Sequence, residues 1–440
     1  MKKSLFALAA LGAFAGAAQA QSSVSIYGNL DATEAYISGS GFKSVALTAS
    51  ANTTSLWGLK GSEDLGGGMK MGFDLKSEIS MLTGQTGNGS NAQATNAVAG
   101  SSTSGATAST IPAAAPVLTG QTGQLFNRGA NFFLSSNNLG ELKFGRQDDI
   151  MWAMSGTFST SDSNSFGSNT MNAAMNNVSS IGALNGGATC STSTYNTIGG
   201  VCSLNSTGNS DGVSGASTAF TTGIRYTSPV IYGFKASAFT SIGQKSITGS
   251  DGQFSSRGAG LEYTYGDLRL GTSITERSDN LGLNAVYGVL AAAQYQYGKL
   301  RFTGNYQTWS YNNGWNGSAN TGIITGVTKS TDTAASATVG QAGLNGYSLG
   351  INYQTSANTD VSLAYTSIQD NVTSTNSATM WGLTGRYNFS KRTQAYAGAG
   401  IVNNSGNAYF SPLYNGMAYT LATAGGQTAT AYMLGLKHSF

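Results

Sequence analysis

Along most of this chain, apolar and polar side chains exchange places at every second residue. Met69, Met71, Phe73 and Leu75 share one parity, while Lys70, Gly72, Asp74, Lys76 and Glu78 share the other. Period two is the signature of a strand lying between two different environments. The same sorting recurs in Leu261, Tyr263 and Tyr265 against Glu262 and Thr264, and in Tyr347, Leu349, Ile351 and Tyr353 against Ser348, Gly350, Asn352 and Gln354. Trp381, Leu383, Tyr387 and Phe389 likewise oppose Gly382, Thr384, Arg386 and Asn388. The last strand, 432–440, stops on an aromatic residue, Phe440, with Tyr432, Leu434 and Leu436 on its own parity.

Counted along the chain, this pattern predicts strands near 24–37, 54–61, 69–78, 125–135, 140–147, 220–228, 232–241, 254–265, 267–276, 285–297, 299–311, 346–355, 360–369, 379–389, 392–403 and 428–440. The total is about sixteen, an even number that suits a transmembrane antiparallel up-and-down β-barrel. A sheet of that size encloses a lumen too wide for side chains to fill. A soluble β-sandwich also buries an apolar face, so no single strand excludes it. The connectors add an asymmetry. Short turns alternate with long polar stretches, notably 82–123, 148–218 and 313–343, as in barrels with tight turns at one rim and long loops at the other.

Composition shifts the balance further towards a membrane. Charged residues make up only 9% of the chain, against roughly 25% in soluble proteins. The mean hydropathy is nevertheless −0.12, because Ser, Thr, Asn, Gln and Gly supply the polarity. With 61 Gly, 21 Tyr and 18 Phe but only 4 Pro, the chain can bring strands close together, form aromatic girdles and keep its ladder donors. Residues 1–20 carry Lys2 and Lys3, an apolar run from Leu5 to Ala18 and the small-x-small site Ala18-Gln19-Ala20, which reads as a secretory signal peptide. The barrel domain is then 21–440. Removing the two lysines lowers the formal charge from +3 to +1, which argues against a nucleic-acid partner. No later stretch offers the ~18 consecutive apolar residues of a spanning helix.

Five blocks carry a resemblance: SSVSIYGNLD (22–31), SLWGLKGSEDLGGGMKMGFDL (55–75), FNRGANFFLSSNNLGELKFGRQDD (126–149), RYTSPVIYGF (225–234) and LGLKHSF (434–440). In order along the chain, they resemble the general diffusion porins of Gram-negative bacteria, of the β-proteobacterial type. The resemblance implies an outer-membrane barrel of sixteen strands, assembled as a homotrimer. Its long third extracellular loop, about 148–218, would fold inward to narrow a water-filled channel for small hydrophilic solutes and ions. It also implies basic wall residues facing acidic loop residues across an eyelet. Arg128 and Arg146 match such wall positions, although the parity of Arg128 with Phe132 and Leu134 points it at lipid, for which a bulge or the end of the apolar band is the expected explanation. Where relatives commonly carry an arginine, this chain has Leu56, so the basic side is depleted and weaker anion preference is expected.

By parity, Lys60, Lys70, Asp74, Lys76, Glu262, Arg269, Arg301 and Arg386 should line the lumen, with Asp148, Asp149 and Asp162 on the loop. For Asp148 and Asp149 a turn, or a salt bridge to Lys143 or Arg128, competes with an eyelet role. Trp57, Phe73, Tyr263, Tyr353, Trp381 and Leu436 should meet outer-membrane lipid or a neighbouring subunit. Cys190 and Cys202, the two cysteines of the chain, read most simply as a disulfide in an exported protein, and without supporting histidines they make a poor zinc site. His438 is the only histidine, so a Ser-His-Asp triad would have to use it. No cofactor, metal or catalytic site is expected.

Overall fold

The computed structural model describes residues 23–39, 42–81, 84, 86, 125–161, 166, 220–241, 255–278, 284–311, 320–321, 328–329, 342–370, 374–375, 377–406, 412–413 and 426–440. The strands are β1 (Ser23–Gly39), β2 (Phe42–Ala49), β3 (Leu56–Gly66), β4 (Met69–Glu78), β5 (Gly129–Ser136), β6 (Gly140–Asp148), β7 (Phe220–Thr227), β8 (Phe234–Thr240) and β9 (Ser256–Tyr265). They continue with β10 (Leu268–Ser278), β11 (Asn284–Tyr297), β12 (Leu300–Tyr311), the two-residue pair β13 (Asn320–Thr321) and β14 (Thr328–Lys329), β15 (Ala342–Gln354), β16 (Thr359–Asp370), β17 (Ser377–Asn388), β18 (Thr393–Ser405) and β19 (Thr428–Ser439). One helix, α1 (Ile150–Thr157), follows β6.

Apart from β13 and β14, all strands belong to one antiparallel sheet that closes on itself, because β19 pairs with β1 from Asn29↔Ser439 to Ser38↔Thr430. On its other edge β1 pairs with β3 through Ser23–Asn29 and with β2 through Ala32–Gly39. β2 and β3 thus act as one interrupted strand, and the cylinder has sixteen positions. Tight two-residue hairpins join several neighbours. Gly266 and Gly298 open two of them at φ +54° and +56°, a region that a Cβ would strain.

The sorting of side chains is the reverse of a soluble protein's. Trp381, Leu383 and Tyr387 are exposed, whereas Thr384 and Arg386 of the same strand are buried. Leu434 is 62% exposed, while Gln307 is only 1% exposed. An apolar outer belt and a polar inner face suit lipid outside and water inside. Aromatic side chains of adjacent strands meet on the outer face, as in Phe234–Tyr263 (4.4 Å between ring centroids) and Tyr365–Trp381 (4.7 Å).

The closing seam has its own inner fastening. Tyr396 on β18 lies over Gly435 of β19, where a Cβ would overlap its hydroxyl, and donates that hydroxyl to Asp31 Oδ1 on β1 at 2.6 Å. Thr33 Oγ1 donates to the same oxygen at 3.0 Å, and the Thr53 backbone N–H donates to Oδ2 at 2.8 Å. Residues 50–55 leave the ladder here. The Asp31 carbonyl accepts from the Ser50 N–H and the Ser55 hydroxyl, and the Asp31 N–H donates to Ser55 Oγ at 2.9 Å.

Three sequence readings need correction. The stretch read as a loop before 54 contains β2, whose Val45 and Leu47 are exposed beside Lys43. Its small residues hide the alternation, and pairing to β1 supplies what propensity lacks. β5 begins at Gly129 rather than 125, because 125–128 form a turn. The segment read as wholly irregular after Asp148 starts with α1, capped by Asp149, whose Oδ1 accepts from the N–H groups of Met151 (2.8 Å) and Trp152 (3.4 Å), as N-cap residues do.

Both faces of the wall can be tested for stability. Leu383→Arg on the outer face should lower folding stability in bilayers by ~2–4 kcal/mol, read from denaturant titration of vesicle-reconstituted protein. Tyr396→Phe removes a donor from a buried carboxylate and should cost about 1–3 kcal/mol in the same assay; no shift of the midpoint would refute the fastening role.

Candidate functional site

The inner face carries its charges in a few groups, each fixed by the register of neighbouring strands. β3 and β4 place Lys60 opposite Asp74. Asp74 accepts a hydrogen bond from the Tyr27 hydroxyl, and the Lys60 ammonium sits 4.9 Å from the centre of the Tyr27 ring. Lys76, two residues on, lies 3.2 Å from Asp148 and 3.9 Å from Asp74. Arg225 on β7 donates to the Asp148 carbonyl. Asp148 therefore ties the start of the long segment to two strands, while Asp149 holds α1 and accepts from Thr275 Oγ1 on β10 at 3.1 Å.

A second group lies where β4 ends and β5 begins. Arg128 forms an ion pair with Glu78 and donates to Thr54 Oγ1 at 3.2 Å. Asn127 exchanges two hydrogen bonds with Glu78, at 2.9 and 3.0 Å, and its carbonyl accepts from Arg146 Nε. Arg128 does not follow the lipid-facing parity of Phe132 and Leu134. The residue precedes the first ladder position of β5, so the alternation does not bind it and its guanidinium turns to the carboxylate. Leu56 stands directly opposite Glu78 in the β3–β4 register.

On the other side of the barrel, Glu262 bridges Lys235 (2.7 Å) and Arg269 (3.7 Å), and Arg269 lies 5.6 Å from the centre of the Phe158 ring. Arg301 donates to the Thr160 carbonyl at 2.9 Å. Arg386 pairs with Asp360 at 2.8 Å, and Asn352 donates to the same carboxylate at 2.9 Å. Lys70 is exposed near the turn-side end of β4, opposite Ser135. Lys143 pairs with Glu141 rather than with Asp148.

Residues 149–161 and Phe166 lie along these strands. α1 contacts β8, β9, β10 and β11. Phe158 and Met154 come against Gly271, Thr160 against Gly350 and Thr303, and Phe166 against Gly382, Gly398 and Gly400. Each glycine shares the parity of the polar face, opposite the exposed apolar stripe.

Parity alone placed Lys60, Asp74, Lys76, Glu262, Arg269, Arg301 and Arg386 on the polar face, and the geometry groups them as described. It missed Lys235, Arg225, Asp360, the role of Tyr27 and the pairing of Glu78, itself on the polar parity, with Arg128. Alternation marks Lys235 and Asp360 as inward, whereas the pairings across strands depend on register, which one sequence does not state. Asp162, Cys190 and Cys202 lie outside the described residues. Among the described residues no group of three or more His, Cys, Asp or Glu side chains is placed to hold a metal ion. His438 is exposed, with Nδ1 3.0 Å from Thr393 Oγ1.

Comparison with known proteins gives the same architecture. Outer membrane porin protein 32 of Delftia acidovorans is 52% identical over 81 residues, covering 18% of this chain and 23% of that protein. A second outer membrane porin protein, from Bordetella pertussis, is 34% identical over 165 residues, 34% of each chain. The matched stretches thus span about a quarter to a third of those relatives' lengths. The solved anion-selective porin from Comamonas acidovorans superposes with a TM-score of 0.65 at 19% identity, over 96% of this chain and 100% of that one, a likeness of fold. The trimer form of OmpT of Vibrio cholerae gives 0.56 at 10% identity, over 95% and 99%. The model of the Gram-negative porin family matches residues 7–407, and with a closed barrel whose polar face turns inward, this chain belongs to that outer-membrane family.

Proposed function

We propose that the barrel is a passive, water-filled channel through which small hydrophilic solutes and ions diffuse across the outer membrane. The observation that carries this reading is the inverted sorting of side chains: the outward stripe is predominantly aromatic and aliphatic, while most charged and amide side chains of the strands turn inward, beside a smaller set of buried apolar ones such as Trp309 and Leu344. A lumen lined with fixed charges admits solutes by size and local field, with no turnover and no bound cofactor. Export would follow removal of residues 1–20, and assembly as a homotrimer is in keeping with the trimer form of the Vibrio cholerae neighbour.

The segment after Asp148 serves as the inward-folded constriction loop. Its support is the run of contacts from α1 to Phe166 along the glycine-bearing polar face. Lys60, Asp74, Lys76, Arg128, Arg146, Asp148, Asp149, Glu262, Arg269, Arg301 and Arg386 then set the field of the passage, with Lys70 nearer the rim and Asp162 further along the loop. Cys190 and Cys202 would form a disulfide within it.

Selectivity follows from how the wall charges are matched. Arg128, the cation at a family wall position, is paired with Glu78, and Leu56 adds no second cation opposite that carboxylate. Arg146 leaves the group with a single excess cation, so anion preference should be weak.

Purified protein should conduct in planar bilayers, with a reversal potential close to zero under a salt gradient. Leu56→Arg should move that potential towards anion selectivity without changing the barrel's melting. Strong anion preference in the unmodified protein would refute the charge argument, and absence of conductance would refute the channel.

A further inference from the structure

We infer that Phe166 is a positioning residue: seated in a socket of missing side chains on β17 and β18, it holds the segment that begins at Asp149 to the wall at position 166. This rests on the channel reading above. Phe166 is 1% exposed. A methyl group added at Gly382, Gly398 or Gly400 would overlap Phe166 atoms in every case. Glycine is the one residue type that leaves room for an aromatic ring directly on the ladder, so Gly398 and Gly400 against the ring, with Gly382 against the Phe166 carbonyl and Cβ, make a fitted seat. On the remaining side the ring joins a buried apolar cluster with Ala35, Ile37, Ala51, Tyr396, Leu413, Ala431 and Met433.

The backbone at the same residue is fixed as well. The Phe166 N–H donates to the Pro412 carbonyl at 2.9 Å, and Leu413 beside it is buried in the cluster. Ala51 belongs to the excursion between β2 and β3 that Asp31 holds. Phe166 therefore gathers three segments distant in sequence onto the inner face of the closing seam. A non-glycine residue at φ +57° is an uncommon backbone state that persists where surroundings determine it.

The seat follows attachments nearer the start of the segment, where the buried Met154 and Phe158 pack against Gly271. Asp149 caps α1 and meets Thr275, and Arg301 holds the Thr160 carbonyl. Past Phe158, the contacts of Thr160 with Arg301 and Thr303 are polar, and water in the lumen can replace them. The apolar seat of Phe166 has no such substitute, so removal of the ring frees the chain at 166 to leave the wall and enter the passage. The consequence is electrical: a single steady open level gives way to brief excursions to lower levels, with the full open level retained.

The test is single-channel recording in planar bilayers of the full-length protein, Phe166→Ala, Gly400→Ala and the double variant, with thermal melting of the barrel followed in parallel. Phe166→Ala and Gly400→Ala should each add sub-level excursions while barrel melting stays within error. The double variant should match Phe166→Ala alone, since a methyl at 400 has no ring left to displace. Steady recordings from Phe166→Ala would overturn the inference, as would equal added noise from Gly400→Ala with and without the ring. Should Gly400→Ala fail to insert, Phe166→Ala decides alone, and Phe166→Leu should give fewer excursions because it refills part of the seat. A wild type that does not conduct would sink the channel reading instead, and a conducting wild type with unaltered variants would sink only this inference.

Discussion

Closure of the ladder is the constraint on which everything else depends. Hydrocarbon offers no partner for an N–H or a C=O, so a sheet in a bilayer must pair its first strand with its last. Here the two ends meet in register. Gly28 and Phe440 exchange N–H to carbonyl bonds at 3.0 and 3.1 Å, and ten residue pairs follow from Asn29↔Ser439 upward. Gly28 is bare at the place where the Phe440 ring needs the space. Inside the wall, Tyr396 reaches over Gly435 to a buried carboxylate and ties the three strands of the seam together. The terminal aromatic residue and the hydroxyl fastening thus act on opposite faces of the same joint.

Once the cylinder is closed, each strand residue has one of two fates, and alternation in sequence becomes a reading of radial position. That is why so much of the fold was legible. The apolar parity of 347–353 and of 381–389 appears as an exposed stripe, and the polar parity as a buried one. The failures have a common physical origin. β2 is built largely from small residues, so its two faces differ little in hydropathy and its identity comes from pairing with β1. Arg128 sits just outside the ladder, where parity has no authority, and a nearby carboxylate decides its direction. α1 depends on a cap from Asp149 and on contact with four strands, neither of which shows in an eight-residue window.

The inner wall was less legible than the outer belt for the same reason. Lipid asks only that a side chain be apolar, a property of the residue itself. The lumen pairs one residue with another. Lys76 meets Asp148 across 72 positions of sequence, and Glu262 serves both Lys235 and Arg269 from neighbouring strands. Such matches are fixed by register, and register is a property of the assembled sheet.

The glycines of the inner face bring the two arguments together. On a lipid-facing wall, an absent side chain forfeits contact with the acyl chains. On a water-facing wall it leaves a hollow, and a hollow beside a passing segment is a place to dock. Gly260, Gly271 and Gly288 take side chains from α1 and its flank, Gly350 takes Thr160, and Gly382, Gly398 and Gly400 surround Phe166. The track proceeds in strand order, from β9 towards the seam. It tells where the segment lies without any salt bridge, and pairs in a wet lumen would hold it weakly in any case. The cations beside the track, Arg269 over Phe158 and Arg301 at the Thr160 carbonyl, settle onto a segment already placed by shape. On the channel reading, steric fit therefore sets the width of the passage, and charge acts on whatever passes through it.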